Sequence, residues 1–353
     1  MTIPRSLGAL LLASLVFSAN AAEAPLPALG AQLAGLTVSG VSSGGYMAVQ
    51  FEVAYSSLVT GAGVLAGGPY ECAEGSLWRA LRNCTAPGVG SAAPDAAQTL
   101  SHIEWQAQAG RIDPPAGLRD DRVWVLSGTE DHTVEHPVVD ALLAFYRQQL
   151  PESAIRSVTL PQAGHAMISI ADPKPNACST SEPPYINRCG DFDAAGQLLA
   201  HLIGPLAPRS TALHGEVIVF DQRPYTGAPP FELSLADRGY AYVPAQCHAG
   251  GCKVHVAFHG CRQSESQVGM RFVKGAGYNE WADTNRLIVL YPQTIPRSGW
   301  TWGSWRWVYN PKGCWDWWGY TDDGYATRDG GQIRAVRAML DRLAQPPAAP
   351  PSR

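Results

Sequence analysis

Charge is scarce in this 353-residue chain. Lys, Arg, Asp and Glu make up 16% of it, against about 25% in typical domains. The net charge is −4 and no basic cluster stands out, which argues against nucleic acid as a partner. Beyond residues 1–21 no long apolar segment appears, so no membrane span is expected in the mature chain. Metal ligands are equally thin on the ground. Cys247, His248, Cys252 and His255 are grouped, but their spacing fits no common zinc pattern closely. Neither a metal nor an organic cofactor is expected, and a monomer is.

Residues 1–21, MTIPRSLGALLLASLVFSANA, carry one Arg, a short apolar run and an Ala-Asn-Ala ending. That is the pattern of a cleaved secretory signal, with the mature chain starting near Ala22 and the protein secreted or periplasmic. Eight cysteines in an exported chain point to disulfides. Sequence neighbours suggest Cys72–Cys84, Cys178–Cys189 and Cys247–Cys252, which leaves Cys261–Cys314. The sequon at Asn83 has meaning only in a eukaryotic host.

The stretch SGVSSGGYMAVQFE (39–52) holds a Gly-x-Ser-x-Gly at Gly40, Ser42 and Gly44. In α/β-type serine hydrolases this is the nucleophile elbow, a tight strand-to-helix turn. Residues 35–41 alternate like a strand, and 45–57 follow with helical spacing, Met47, Val49, Phe51 and Ala54 supplying the buried side. Ser42, with Gly at both required distances, is preferred to Ser43 as the nucleophile.

Strand-like runs recur at 36–41, 59–68, 122–128 and 157–164, separated by helical stretches such as 136–150. Alternation of this kind implies a mainly parallel sheet with helices on its faces. Two runs end in chemically useful loops: Asp131 comes after 122–128, and His165 after 157–164. Catalytic groups in open α/β sheets gather beyond the carboxyl ends of the strands. The order Ser42, Asp131, His165 is also that of α/β-hydrolase triads. Glu130 and Glu135 compete with Asp131, but Gly128 can make the turn and Val134 can anchor the next segment. His132 and His136 share the acid's own loop and are read as solvated or supporting groups.

The elbow comes too early, because several strands should precede it. A joint at 204–215 leads to further strand-like runs at 216–222, 239–247, 253–261 and 286–293. The third ends in His259-Gly260-Cys261, and a His-Gly there opens the loop that donates one oxyanion-hole amide. The missing strands therefore lie at the other end of the chain. The expected fold is a circularly permuted α/β-hydrolase, one domain over 22–345 with a mainly parallel central sheet flanked by helices. Its joint falls at about 204–215, and residues 346–353 form a Pro-rich tail. Two separate domains are the competing reading. In the permuted fold the backbone amides of Ser43 and Cys261 bind the oxyanion, His165 is the general base and Asp131 orients it.

Seven of the eleven tryptophans fall in 299–323. A satellite core under a long loop accounts for several. A Cys261–Cys314 bond would tie this loop to the oxyanion segment and let Trp315, Trp317, Trp318 and Tyr320 wall a substrate cleft.

Taken together, GVSSGGYMAVQ, GTEDHTV, AGHAM, FHGCRQS, GYNEWADTN and NPKGCWDWWGYT resemble poly(3-hydroxybutyrate) depolymerases, in the type with an N-terminal lipase box and a permuted catalytic domain. The resemblance spans nearly the whole mature chain. It implies a triad of Ser42, Asp131 and His165, oxyanion amides at Ser43 and Cys261, and hydrolysis of short-chain polyhydroxyalkanoates to hydroxybutyrate and short oligomers. Secreted members often continue into a linker and a polymer-binding domain, whereas LAQPPAAPPSR ends this sequence, so a dedicated granule-binding module is not expected. The alternatives are a feruloyl or acetylxylan-type carbohydrate esterase, and a non-catalytic binding protein on a hydrolase scaffold.

Overall fold

The computed structural model describes residues 23–301 and 305–347. The signal-like segment 1–21, Ala22 and the tail from 348 onward lie outside the described residues.

Eight strands form the central sheet. The first half of the chain supplies β1 (Gln32–Val41), β2 (Val59–Leu65), β3 (Arg122–Gly128) and β4 (Ile155–Leu160). The second half supplies β5 (Glu216–Asp221), β6 (Arg238–Val243), β7 (Lys253–Phe258) and β8 (Leu287–Tyr291). Their order is β4-β3-β2-β1-β7-β8-β6-β5, and only β6 runs against the others. The halves join where β1 pairs in parallel with β7, Val38 opposite Val256 and Gly40 opposite Phe258. That pairing rules out two separate domains. The strand ending in His259-Gly260 lies beside the strand ending in Ser42, and residues 204–215 connect the two halves.

Strands buried on both faces read as continuous apolar runs, and β8 (LIVLY) is buried throughout. In β3, Val123 and Val125 enter one core while Trp124 and Leu126 enter the other. The first core takes helices α1 (Ser43–Ala54), α2 (Ala96–Gln108), α3 (His136–Gln149) and, last in the chain, α6 (Gly331–Ala344). The second takes α4 (Ala194–Ile203) and α5 (Tyr278–Thr284). α1 departs from the one-sided pattern expected of it, since every residue from Ser43 to Ala54 is buried. A helix covered on all sides has no solvent face for periodicity to mark.

Strand ends also differ from the sequence expectation. β2 stops at Leu65, where Ala66 turns to φ 50°, and β4 stops at Leu160, ahead of Gln162 at φ 60°. Both breaks open the loops that build the site.

Four disulfides pair Cys72 with Cys84, Cys178 with Cys189, Cys247 with Cys252 and Cys261 with Cys314. The Cys247–Cys252 bond consumes the thiols of the zinc-like grouping. His255, its fourth member, is fully buried, its ring nitrogens 2.8 Å from Thr37 Oγ1 and 2.7 Å from Ser39 Oγ. Ser39 Oγ also meets the Tyr278 hydroxyl at 2.7 Å. This network fastens β1 to β7 just upstream of Ser42.

Candidate active site

Ser42 is the single residue between β1 and α1, at φ 58° and ψ −124°. A non-glycine residue at positive φ is strained, and such strain clusters at functional sites. Two glycines make the turn possible. A Cβ on Gly40 would stand 2.1 Å from the Gly44 carbonyl oxygen, and one on Gly44 would stand 2.3 Å from that of Phe258. Gly45 is only tight, 3.2 Å from a Val64 methyl. The Ser42 amide is pinned to Leu65 O at 2.9 Å.

Asp131 and His165 meet beyond the ends of β3 and β4. Asp131 Oδ2 accepts a hydrogen bond from His165 Nδ1 at 2.8 Å. Its Oδ1 accepts the amides of Thr133 and Val134 at 2.8 and 3.0 Å. Both oxygens are thus engaged by donors, which fix the carboxylate against the imidazole. Both side chains are buried, and the His165 amide is anchored on Ser181 Oγ at 2.9 Å. The rival groups stand elsewhere. Glu130 and His132 are exposed and near each other, and His136 Nδ1 lies 3.3 Å from Ser127 Oγ at the start of α3.

Beyond β7, His259 is completely buried, and burial lowers its pKa to about 4. Gly260 and Cys261 come next, at the wall of the cavity that Ser42 and His165 also line. No hydrogen bond joins Ser42 to His165 among the described residues, a looseness common in unliganded hydrolases. Ser43 opens α1, so its amide hydrogen has no intrahelical acceptor. Among the described residues neither that amide nor the Cys261 amide has an acceptor. All four loops leave the same edge of the sheet.

A "Poly(3-hydroxybutyrate) depolymerase" of Delftia acidovorans is 42% identical over 324 residues, 90% of this chain and 61% of that protein. The chain thus spans less than two thirds of the length of that relative. A "Polyhydroxybutyrate depolymerase" of Talaromyces funiculosus is 37% identical over 335 residues, 92% of this chain and 94% of that one. The chain belongs to the polyhydroxybutyrate depolymerase family. Its fold agrees. The crystal structure of a PHB depolymerase from Penicillium funiculosum superimposes with a TM-score of 0.80 at 34% identity, covering 91% of this chain and 98% of that one. A serine-to-alanine variant of a PHB depolymerase, complexed with an R3HB trimer, matches with the same figures. No family model matches the chain.

Membership of the depolymerase family leaves open which aromatic residues wall the cavity, and here the structure corrects the sequence. The cavity holds about 430 Å³ and is lined by Trp317 and Trp318, but not by Trp315 or Tyr320. Trp315 is fully buried behind the His259–Cys261 loop, edge-on to Phe258 and 5.7 Å from the His259 ring. Tyr320 turns its hydroxyl inward, donating to Cys314 O at 2.7 Å. The local turn explains the split. Asp316 Oδ1 accepts the amides of Trp318, Gly319 and Tyr320, coiling the chain so that Trp317 and Trp318 reach the cavity while Trp315 and Tyr320, on either side of them, turn inward. Burial raises the Asp316 carboxyl to about 6.

Several lining residues were not singled out from sequence: Tyr46, Leu77, Leu81, Tyr185, Gln263 and Tyr309. Two of them carried a signal, Gln263 within FHGCRQS and Tyr46 within the elbow motif. The Tyr46 ring stacks on Trp317 at 4.3 Å and 14°, and burial, then the Asp131 charge, hold its phenol well above the usual range.

Proposed function

We propose that this chain is an exported serine esterase that hydrolyses poly(3-hydroxybutyrate), or its oligomers, to 3-hydroxybutyrate and short oligomers. The observation that carries the reading is the Asp131–His165 hydrogen bond of 2.8 Å at a cavity that Ser42 shares. Membership of the depolymerase family selects the ester.

His165 takes the Ser42 hydroxyl proton as the oxygen attacks the ester carbonyl. Asp131 holds the imidazole so that Nδ1 carries hydrogen and Nε2 faces the serine, then stabilises the imidazolium. The Ser43 and Cys261 amides receive the oxyanion, each donor contributing about 10²–10³ in rate. The alcohol end of the chain leaves with the proton from His165. Water, deprotonated by the same histidine, then releases the acyl group and regenerates Ser42. Trp317, Trp318 and Tyr46 give the polyester an apolar, rigid bed, as befits a substrate with few hydrogen-bond donors.

Export rests on the signal-like residues 1–21 and on four disulfides, which persist in oxidising compartments. Among the described residues no helix is long and apolar enough to cross a membrane. We place the permutation joint at 204–215 and take the working unit to be a monomer.

The test is incubation of the mature protein with amorphous poly(3-hydroxybutyrate), measuring released 3-hydroxybutyrate beside a Ser42→Ala control. Release by the parent alone supports both substrate and nucleophile. Cleavage of aryl or feruloyl esters with no polymer release would move the assignment to another ester. Silence on all of them would overturn catalysis.

A further inference from the structure

The two peptide groups flanking Gly260 are clamped by side chains that play no part in the triad. His259 Nδ1 lies 2.7 Å from Gly260 O. A carbonyl oxygen only accepts, so Nδ1 carries the hydrogen. The other ring nitrogen fixes the same tautomer, since Nε2 lies 3.2 Å from the Thr294 amide, which only donates. The imidazole is neutral and buried, so its one N–H is committed to Gly260 O. On the other side, the Gly260 amide donates to Gln263 Oε1 at 2.8 Å. Gln263 Nε2 donates in turn to Pro184 O and Tyr185 O at 3.1 and 2.9 Å, so its amide orientation is also determined by its partners.

Gly260–Cys261 is a trans peptide, since the cis bond among the described residues is Pro183–Pro184. In a trans peptide the C=O and the following N–H point in opposite directions. Holding Gly260 O on the buried His259 ring therefore turns the Cys261 N–H the other way, toward the cavity that Cys261 lines. Glycine itself offers little resistance to a peptide flip, so the direction of that N–H depends on the clamp.

We infer that His259 and Gln263 are positioning residues that fix the Gly260–Cys261 peptide with its N–H directed into the cavity, preorganising the oxyanion donor. The inference rests on the oxyanion role proposed above for Cys261. Preorganised donors cost no reorganisation as charge develops, which is why losing the clamp should be felt in kcat. Gln263 adds a second linkage: through Pro184 and Tyr185 it ties the oxyanion loop to the short sheet in which Met167–Ile168 follows His165.

The test compares His259→Leu, His259→Asn and Gln263→Leu on a soluble 3-hydroxybutyrate ester, with a trifluoromethyl ketone as transition-state mimic. Asn places an amide N–H close to the position of Nδ1. The Leu variants should lose about 10²–10³ in kcat, with KM within about threefold, and ketone affinity should fall in proportion. His259→Asn should recover most of the loss. A crystal structure of Gln263→Leu or His259→Leu should show the Gly260–Cys261 peptide turned or in two orientations. Folded Leu variants with parental kcat and an unmoved peptide would overturn the inference, as would a loss confined to KM. If His259→Leu does not fold, Gln263→Leu decides alone. If the parent cleaves no ester, the functional reading fails, and the peptide orientation in the variants still decides the clamp.

Discussion

Gly128 and Ala163 touch where the acid loop and the histidine loop cross. A Cβ built on Gly128 would stand 2.1 Å from the Ala163 carbonyl oxygen, and two residues later the Glu130 amide donates to that same oxygen at 3.0 Å. The 2.8 Å Asp131–His165 hydrogen bond is held by the two loops that meet at this contact. The glycine is required by close approach, since its φ is not left-handed.

Gly128→Ala should therefore push the two loops apart. A displacement near 1 Å in such a pair costs about 10²-fold in rate, so kcat should drop by that order while KM on a soluble ester stays near the parent value. Steady-state kinetics with a melting curve check it. Unchanged kcat in a folded variant would mean that the loops have slack.

Asp131→Asn probes the same pair chemically. The amide keeps the shape, but one of its ends becomes a donor where the Thr133 and Val134 amides or His165 Nδ1 now donate. The imidazole then loses its enforced tautomer, and a fall of about 10⁴ in kcat is expected with binding preserved. Proton NMR of the imidazole N–H in parent and variant reports the tautomer independently of rate.

How far these features can be read from sequence differs by kind. The sheet was legible because each of its strands is a local apolar run, and the early Ser42 with the late His259-Gly260 pointed to both halves of the chain sharing it. Asp131 and His165 were legible as polar residues just past such runs. The roles of Trp315 and Tyr320 were not, because a Trp-rich coil has no period and only the Asp316 amide cage decides which ring faces out. Nor was the all-round burial of α1: Gln50 and Glu52 look like a solvent face but bond to Asp316 O and to the Tyr146 hydroxyl. The clamp around Gly260 depends on a peptide plane, which no residue pattern records.

The split among the tryptophans gives a paired prediction. Trp315→Ala removes a fully buried ring and should cost about 3–5 kcal/mol in unfolding free energy. Trp318→Ala strips a cavity wall and should raise KM for oligomeric esters several-fold, with a smaller change in stability. Denaturant titration and oligomer kinetics on both variants separate core from wall. Equal stability losses with equal KM would refute the assignment.

Cys261–Cys314 closes a segment with a sequence separation of 53. By loop entropy such a crosslink contributes about 4 kcal/mol. The double variant Cys261→Ser, Cys314→Ser should lose roughly that much, measured by chemical denaturation under non-reducing conditions. It should also lose kcat, because the bond anchors the residue whose amide is the proposed oxyanion donor. Full kcat in a destabilised variant would assign the disulfide to stability alone.

Stability should fall on both sides of neutrality, for opposite reasons. Burial lowers His255 from the ordinary 6.5 to about 3 and His259 to about 4. The unfolded chain takes up these protons more readily, so the stability gained by keeping both rings neutral is full above about pH 6.5 and is lost as the pH falls below it. On the alkaline side stand two buried carboxyls beneath α1. Glu52 is raised by burial, and Asp121 by burial and then by the Glu52 charge. Their folded pKa values lie above the unfolded ones, so their contribution is full below the ordinary carboxyl range and is lost as the pH rises. A series of melting temperatures from about pH 4 to pH 9 should therefore be dome-shaped. Glu52→Gln leaves an acceptor for Tyr146 but removes one of the two acids, and it should flatten the alkaline limb while leaving the acid limb in place. An alkaline limb of unchanged slope in that variant would show that the Glu52–Asp121 pair does not set it.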